Sequence, residues 1–212
     1  MIINFLGDSI TEGAGTASPK EMFANIVGER LSAEVHNYGL GGTRIARQSK
    51  PSLQPQYDCD FLARAKEMGD ADYVFVFGGT NDYGHGDAEI GDSSDETPYT
   101  FYGAVNLLAR SLAKRYGADR LCFILPLPRV GEDNVLGEGN KEKPSLPLKG
   151  YIAIIREVLN ALGISYIDLR AQFPAERLAF LTVDGLHPNA AGNLIIADEI
   201  CNYLSTKKGE WK

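Results

Sequence analysis

The amino-acid sequence predicts an α/β protein, a three-layer α/β/α sandwich built on a parallel sheet. Five short apolar runs alternate with segments whose apolar residues recur at helical spacing, which is the order that βαβ units require. Most of these runs are apolar at every position, as expected for strands that helices cover on both faces. The 212 residues, 44% hydrophobic and 23% charged, have the composition of a globular protein. We therefore expect residues 1–212 to form a single domain.

The predicted elements alternate along the chain. Strands are predicted at residues 2–6, 34–38, 73–77, 121–125 and 164–169. Residues 18–21, Ser-Pro-Lys-Glu, have the pattern of a capping box with proline in the first turn and predict the start of one helix. Thr97-Pro98 predicts the start of a second helix, which ends at Gly117, and Gly163 ends a third. A weaker helix is predicted at residues 58–68, and the apolar positions of the last helix are Leu194, Ala197, Cys201 and Leu204.

Two long loops are predicted beyond the carboxyl ends of strands, where ligands bind in open α/β sheets. Residues 126–147 contain four Pro, three Gly and seven charged residues, a composition that favours a mobile surface loop. Residues 83–98 are acidic and rich in glycine. Both segments are expected to influence which substrate the protein accepts.

The net charge of −7 and the scattered Lys and Arg residues argue against nucleic acid or an anionic membrane as the main partner. No apolar stretch is long enough to span a bilayer, and the first residues lack the pattern of a signal peptide, so a cytoplasmic location is expected. Cys59, Cys122 and Cys201 are odd in number and lack CxxC spacing, which argues against a disulfide framework or a zinc site. Cys122 and Cys201 are expected to act as small core residues.

Ser9 is the first candidate for a reactive side chain. It follows Gly7-Asp8 where the apolar first strand gives way to a polar segment, so it is expected at a strand-to-loop edge. A serine becomes strongly nucleophilic only with a general base, an acid that orients the base, and donors for the oxyanion. Ser9 therefore matters only if distant segments supply these groups.

His187 is the strongest candidate for the base. It is one of three histidines and lies in residues 184–188, Asp-Gly-Leu-His-Pro, just before the last helix, whose first turn Pro188 would fit. The Asp184 carboxylate would hold the imidazole with Nδ1 protonated, leaving Nε2 to accept the serine proton. Taken alone, Asp184 and His187 fit a helix cap equally well.

Two further segments follow predicted strands and supply candidate donors. Residues 77–82, Phe-Gly-Gly-Thr-Asn-Asp, close the third strand, and the Asn81 side-chain amide would suit a developing oxyanion, although such a residue is more commonly a turn former. Residues 37–43, Asn-Tyr-Gly-Leu-Gly-Gly-Thr, follow the second strand, and a glycine there lets a backbone N–H approach a substrate.

Other polar residues near these segments have weaker claims. Asp8 and Asp82 are expected to support the site through hydrogen bonds. Arg44, Tyr83 and His85 fit either a substrate contact or a solvated loop face.

The four segments together resemble the blocks of the SGNH, or GDSL-like, hydrolase superfamily of serine esterases and lipases. Gly7-Asp8-Ser9-Ile10 resembles the first block, with Ile10 where leucine is usual. Gly42 matches the glycine of the second block, with Gly41 beside it as the other possible register. Residues 79–82 match the third block and residues 184–187 the last, so the resemblance spans nearly the whole chain in the family's order.

The resemblance implies a catalytic role for each block. Ser9 would be the nucleophile, His187 the general base and then acid, and Asp184 the orienting carboxylate. The oxyanion donors would be the backbone N–H groups of Ser9 and Gly42 and the side chain of Asn81. The resemblance also implies a flavodoxin-like sheet of five parallel strands in the order 2-1-3-4-5.

The expected function is hydrolysis of a carboxylic ester through an acyl-enzyme intermediate, with no cofactor or metal and a small-molecule ester as substrate. The absence of a long apolar segment favours short acyl groups, for example acetyl groups on carbohydrate. A thioesterase or lysophospholipase with the same triad is the alternative within this chemistry. A metal-dependent phosphoesterase using Asp8, Asn81, Asp82, Asp184 and His187, or a flavodoxin-like binding module, would belong to other classes.

Overall fold

The structure is a computed structural model that describes residues 1–52, 54–139 and 141–207. Its strands form one parallel sheet in the order β2-β1-β3-β4-β5, which confirms the predicted α/β class and strand order. In chain order the elements are β1 Ile2–Gly7, α1 Ser9–Glu12, α2 Phe23–Leu31, β2 Glu34–Gly39, α3 Phe61–Ala65, β3 Tyr73–Phe77, α4 Thr80–His85, α5 Phe101–Tyr116, β4 Leu121–Ile124, α6 Leu148–Ala161, β5 Ser165–Ile167, α7 Leu178–Leu181 and α8 Ala190–Lys207.

The central strand β3 shows why these strands are apolar at every position. Val74 and Val76 point into the core that α3, α5 and α6 cover, whereas Phe75 and Phe77 point into the core beneath α2 and α8. Successive side chains in a strand face opposite ways, so a strand with helices on both sides must be apolar throughout. The strand β2 differs from the prediction of a buried strand, because it lies at the sheet edge and its residues are exposed or half-buried.

The predicted start of the helix α2 is wrong. Residues Pro19–Glu21 form a short 3-10 turn, and the Ser18 side chain makes no capping hydrogen bond. The helix begins at Phe23, whose backbone N–H donates to Asn193 Oδ1 of α8 at 3.0 Å. A tertiary contact thus takes the role that the capping box was expected to fill, as local capping patterns alone do not decide where a helix begins.

Three other helix boundaries differ from the sequence prediction. The helix α5 begins at Phe101 because Thr100 Oγ1 accepts a hydrogen bond from the Gly103 N–H at 3.2 Å. The predicted weak helix over residues 58–68 shortens to α3, which Asp60 caps. Pro188 lies before α8 rather than in its first turn, and within α8 Leu194 is exposed while Ala197 and Leu204 are buried.

The predicted loop over residues 126–147 has no strand in its described part, but it is held against α4. Lys141 Nζ donates to the backbone oxygens of Asp82 and Gly86, each at 2.8 Å, and to the Tyr151 hydroxyl at 3.0 Å. The predicted loop over residues 83–98 also contacts this helix, because its first three residues form the end of α4. Both segments therefore have fixed contacts near the carboxyl ends of the strands.

Two of the three cysteines were expected to pack in the core. Cys122 is buried in β4, where burial raises the pKa of its thiol to about 12, and Cys201 is half-buried against the core beneath α8. Both fit the expected packing role.

Over the residues described, no helix combines the length and apolarity needed to cross a membrane.

Candidate active site

Ser9 and Asn81 lie beyond the carboxyl ends of the neighbouring strands β1 and β3. Ser9 is the first residue of α1, so the predicted strand-to-loop edge is in fact a sharp strand-to-helix turn. Asp8 occupies the turn and accepts a hydrogen bond from the Ile10 N–H at 3.0 Å. A Cβ added at Gly7 would lie 1.9 Å from Thr11 Oγ1, so the turn requires glycine at that position. The turn presents Ser9 at the carboxyl end of β1, which lies between β2 and β3 where the strand order reverses.

The Ser9, His187 and Asp184 side chains form a connected line of hydrogen bonds. Ser9 Oγ lies 2.9 Å from His187 Nε2, and His187 Nδ1 lies 2.7 Å from Asp184 Oδ2. Ser9 and His187 are 178 residues apart in the chain. Because an ionised carboxylate only accepts, Nδ1 carries the proton and the Nε2 lone pair faces the serine hydroxyl.

Asp184 is also held by its own backbone surroundings. Its Oδ1 accepts from the backbone N–H groups of His187 at 2.7 Å and Leu186 at 3.0 Å. Partial burial opposes ionisation, but the hydrogen bonds from His187 and Leu186 outweigh it and lower the pKa of Asp184. The ionised form that orients His187 is therefore the one the loop favours.

The predicted oxyanion residues Gly42 and Asn81 share one cleft with Ser9. The cleft has a volume of about 540 Å³, and its lining includes Ser9, Gly41, Gly42, Asn81 and His187. Asn81 is buried, and its Nδ2 donates one hydrogen bond to the Thr43 backbone oxygen at 2.9 Å. A side-chain amide carries two N–H donors, so the second remains for another acceptor. All the sequence-predicted site residues thus lie in or directly behind one cleft, with Asp184 behind His187.

The two candidate glycines of the second block differ in hydrogen bonding and in backbone conformation. The Gly41 N–H donates to Glu12 Oε2 at 2.9 Å, so this donor is already engaged. Gly42 has φ +74°, a left-handed conformation, and a Cβ added there would lie 2.5 Å from the Tyr57 ring. Both features require glycine at position 42.

Arg64, which was not among the predicted site residues, links the segments of the site through hydrogen bonds. Its Nη1 donates to the Tyr38 backbone oxygen at 2.5 Å, and its Nη2 donates to the Gly7 oxygen at 2.9 Å and to Thr43 Oγ1 at 2.8 Å. Arg64 therefore links the ends of β1 and β2 to the segment that holds Gly42. It belongs to the weakly predicted helix, and its partners are distant in the chain, so no local pattern indicated this role.

Arg44, Tyr83 and His85 do not form the solvated loop face that was one interpretation of them. Arg44 is 6% exposed and Tyr83 is 1% exposed, while His85 is half-buried and lines the cleft. Tyr83 donates its hydroxyl proton to the Gly131 oxygen at 2.5 Å, which makes it part of the packing under residues 126–147. Arg44 and His85 contact one another next to Asn81.

The two buried aspartates support the site as expected. The Asp82 carboxylate accepts from the Ile45 N–H at 3.0 Å and the Ala46 N–H at 2.8 Å, which holds the segment that follows Gly42. Burial raises the pKa of Asp82 despite these two bonds. Burial also raises the pKa of Asp8, to about 7, against the hydrogen bond from Ile10 and the nearby charge of Arg64. In the described part of the chain, no three His, Cys, Asp or Glu side chains are arranged to hold a metal ion.

Comparison with known families gives a match over almost the whole chain. Residues 5–195 match the profile of the GDSL-like lipase/acylhydrolase family, which covers all four blocks described above. Curated protein sequences gave no match.

Solved structures share the fold along the full length of the chain. A protein from Lactobacillus plantarum is 26% identical, with a TM-score of 0.78 and coverage of 96% of both chains. A possible lipase from Chitinophaga pinensis DSM 2588 is 18% identical, with a TM-score of 0.72 and coverage of 98% of each chain. An acetyl xylan esterase is 23% identical, with a TM-score of 0.65 and coverage of 96% of this chain and 99% of the other.

Proposed function

Because the chain belongs to the GDSL-like lipase/acylhydrolase family and is a carboxylic ester hydrolase, we propose that Ser9, His187 and Asp184 carry out its reaction. The observation that carries this proposal is the hydrogen-bonded line from Ser9 Oγ through the His187 ring to Asp184. Each group has the partner that its chemical role requires.

The proposed reaction has two steps that use the same base. In the first, Ser9 Oγ attacks the ester carbonyl carbon as His187 Nε2 takes the hydroxyl proton, and the imidazolium then gives that proton to the departing alcohol. In the second, a water molecule attacks the acyl-enzyme as its proton passes to His187, and the acid leaves with Ser9 restored. Asp184 stabilises the imidazolium that forms in each step.

The oxyanion that develops in both steps needs donors aimed at it. We assign this role to the backbone N–H groups of Ser9 and Gly42 and to the free N–H of the Asn81 amide. The assignment of Gly42 rather than Gly41 is supported by the bond that the Gly41 N–H makes to Glu12. These donors are preorganised, because Asp82, Arg64 and Thr43 hold the segments that carry them.

The proposed substrate is an ester of a short acyl group, for example an acetyl group on a carbohydrate. This is supported by the polar side chains Glu12, Gln56, Tyr57 and Glu138, which line the cleft together with the apolar Ala14, Leu40 and Leu186. A sugar offers hydroxyl groups to such residues, whereas a long acyl chain needs an apolar channel. The acetyl xylan esterase has this specificity by name, but at 23% identity it supports the fold alone.

The experiment that tests the nucleophile is labelling with a fluorophosphonate probe followed by peptide mapping. We expect label on Ser9, no label in Ser9→Ala, and unchanged labelling in Ser205→Ala, a control serine on the exposed surface of α8. Ester hydrolysis should be abolished in Ser9→Ala alone. Label on another residue, or hydrolysis that survives Ser9→Ala, would refute the proposed mechanism.

The acyl specificity is tested separately with acetylated sugars and p-nitrophenyl esters of increasing chain length. We expect kcat/KM to fall as the acyl chain lengthens. A preference for long chains would instead favour a lysophospholipase, and faster cleavage of an acyl thioester than of the matching ester would favour a thioesterase.

A further inference from the structure

We propose that His85 is a positioning residue that holds the Asn81 amide in the orientation needed to stabilise the oxyanion, and that Arg44 holds His85 for this task. The inference rests on the proposed function, since it assigns Asn81 to the oxyanion site. It extends that function to two residues outside the four sequence blocks.

The first observation is a chain of hydrogen bonds that ends at Asn81. Asn81 and His85 lie four residues apart on α4, so they share one face of the helix. His85 Nε2 lies 3.2 Å from Asn81 Oδ1, and His85 Nδ1 lies 2.6 Å from Arg44 Nη2. The order of groups is therefore guanidinium, imidazole, side-chain amide.

The donors and acceptors in this chain follow from Arg44. A guanidinium can only donate, so His85 Nδ1 must accept its hydrogen bond. The ring proton is then on Nε2, and Nε2–H donates to Asn81 Oδ1. A single tautomer of His85 satisfies both contacts.

The His85 N–H and the Thr43 backbone oxygen together decide which way the Asn81 amide points. With Oδ1 bound to the His85 N–H, the Nδ2 group is directed to the Thr43 backbone oxygen, 2.9 Å away, and its second N–H is free for the oxyanion. If the amide were rotated by half a turn, Oδ1 would face the Thr43 oxygen, and Nδ2 would face the donor of His85. Both contacts would then be repulsive, so the oxyanion donor would be lost.

Burial and the charge of Arg44 keep the imidazole neutral, and Arg44 also orients it. Arg44 is buried, and its Nη1 lies 3.3 Å from both Ser52 Oγ and the Tyr57 backbone oxygen, which limits its movement. Burial of the ring, reinforced by the positive charge of Arg44, lowers the pKa of His85 to about 4. The same form of His85 is therefore present throughout the neutral range.

A matched pair of substitutions separates this role from a packing role. His85→Gln places an amide nitrogen near the position of Nε2 and keeps a donor for Asn81. His85→Asn places its amide near Nδ1, where it still meets Arg44 but does not reach Asn81. We expect His85→Asn to lower kcat about tenfold, as for the loss of one hydrogen bond that orients a charged interaction, with KM within about twofold of its starting value. His85→Gln should retain most of kcat.

A double-mutant cycle identifies the residue through which His85 acts. In an Asn81→Ala background, His85→Asn should cause no further loss of kcat, because the amide that it orients is gone. The inference is overturned if the two losses multiply, if His85→Gln loses as much as His85→Asn, or if only KM changes, as a direct substrate contact would predict.

The tautomer can be measured in the unmodified protein, so the inference is testable even if a variant does not fold. Long-range proton–nitrogen NMR spectra at neutral pH should show His85 neutral and protonated on Nε2. An imidazolium or an Nδ1-protonated ring would contradict the inference. Failure of the unmodified protein to hydrolyse any ester would instead contradict the proposed function, and the tautomer measurement would still test the contact.

Discussion

At the scale of single residues, the site depends on groups that are each held by more than one partner. Asp184 accepts hydrogen bonds from two backbone N–H groups as well as from the His187 ring. Asn81 is bound on both sides of its amide, by Thr43 and by His85. Such preorganisation lets donors stabilise developing charge without first reorienting.

The Asn81 side chain is expected to contribute to kcat. The Asn81 N–H binds the charged oxyanion of the transition state more strongly than the neutral carbonyl of the substrate. Asn81→Ala should therefore lower kcat by roughly 10²- to 10³-fold while KM changes little. Steady-state kinetics on a p-nitrophenyl ester measures both constants. An unchanged kcat would remove Asn81 from the oxyanion site.

Asp8 should make the stability of the protein depend on pH. Burial raises the pKa of its carboxyl from 3.8 to about 7 in the folded state. Between these values the folded protein keeps a proton that the unfolded chain has released. The free energy of unfolding should therefore fall as pH rises, by at most about 1.4 kcal/mol per pH unit, and level off above the folded pKa.

Asp8→Asn tests this, because an asparagine stays neutral. Urea denaturation should show the variant gaining stability relative to the unmodified protein between about pH 5 and about pH 8. This gain should exceed the one in Asp70→Asn, the control that removes an exposed carboxyl. An equal stability difference at both pH values would mean that Asp8 does not bind a proton in this range.

At the scale of elements, the site is built where short helices meet strand ends. The helix α1 carries Ser9 and packs its backbone directly against the end of β2. The helix α4 carries Asn81 and begins at Thr80, directly after Gly79, which has φ +107°. These contacts rather than helix length determine where the two side chains lie, because a helix of four to six residues has little stability of its own.

Gly39→Ala is expected to displace α1. An added Cβ would lie 2.2 Å from the Glu12 backbone nitrogen. Because this is a backbone atom, rotation of a side chain cannot relieve the clash, and α1 itself must move. We expect a loss of about 1–3 kcal/mol in stability together with a fall in kcat, because Ser9 belongs to the same helix. Thermal unfolding and steady-state kinetics measure the two effects.

Gly69→Ala is the matched control for this substitution. Its added Cβ would meet only the Tyr38 hydroxyl, at an ordinary contact distance of 3.7 Å. Its kcat should equal that of the unmodified protein. Full activity in Gly39→Ala would show that Ser9 tolerates movement of α1.

At the scale of the whole molecule, a charged side chain holds the described part of residues 126–147 against the site. Burial lowers the pKa of Lys141, whose ammonium donates to two backbone oxygens near α4 and to the Tyr151 hydroxyl. The contacts connect residues 126–147 to the helix that carries Asn81 and His85. Packing of this segment and geometry of the site are therefore linked.

Lys141→Met is expected to loosen this connection. Loss of the donor leaves its acceptors without this partner, so we expect about 1–3 kcal/mol of destabilisation and faster amide hydrogen exchange at the described residues of 126–147. The control is Lys50→Met, which removes an exposed ion pair to Glu142 that the solvent screens. Equal exchange in both variants would show that Lys141 does not anchor the segment.

Much of the fold could be predicted from the sequence because its signals are local. The strands are marked by apolar runs, and the sheet order came with the resemblance of four ordered blocks. The start of α2 could not be predicted, because the partner of the Phe23 N–H is Asn193, 170 residues away. The role of Arg64 was missed for the same reason, since its acceptors lie at the ends of two strands.

The candidate site divides in the same way. Short local patterns indicated the α/β class, the family resemblance and the candidates Ser9, Asn81, Asp184 and His187, because each pattern can be recognised without its partners, whereas Gly41 and Gly42 remained alternatives. Three features could be read only from the tertiary structure: the hydrogen bond that engages the Gly41 N–H, the positions of Arg44 and His85, and the orientation of the Asn81 amide. These depend on hydrogen bonds between segments distant in the chain, and such bonds exist only once the sheet and its helices bring the segments together.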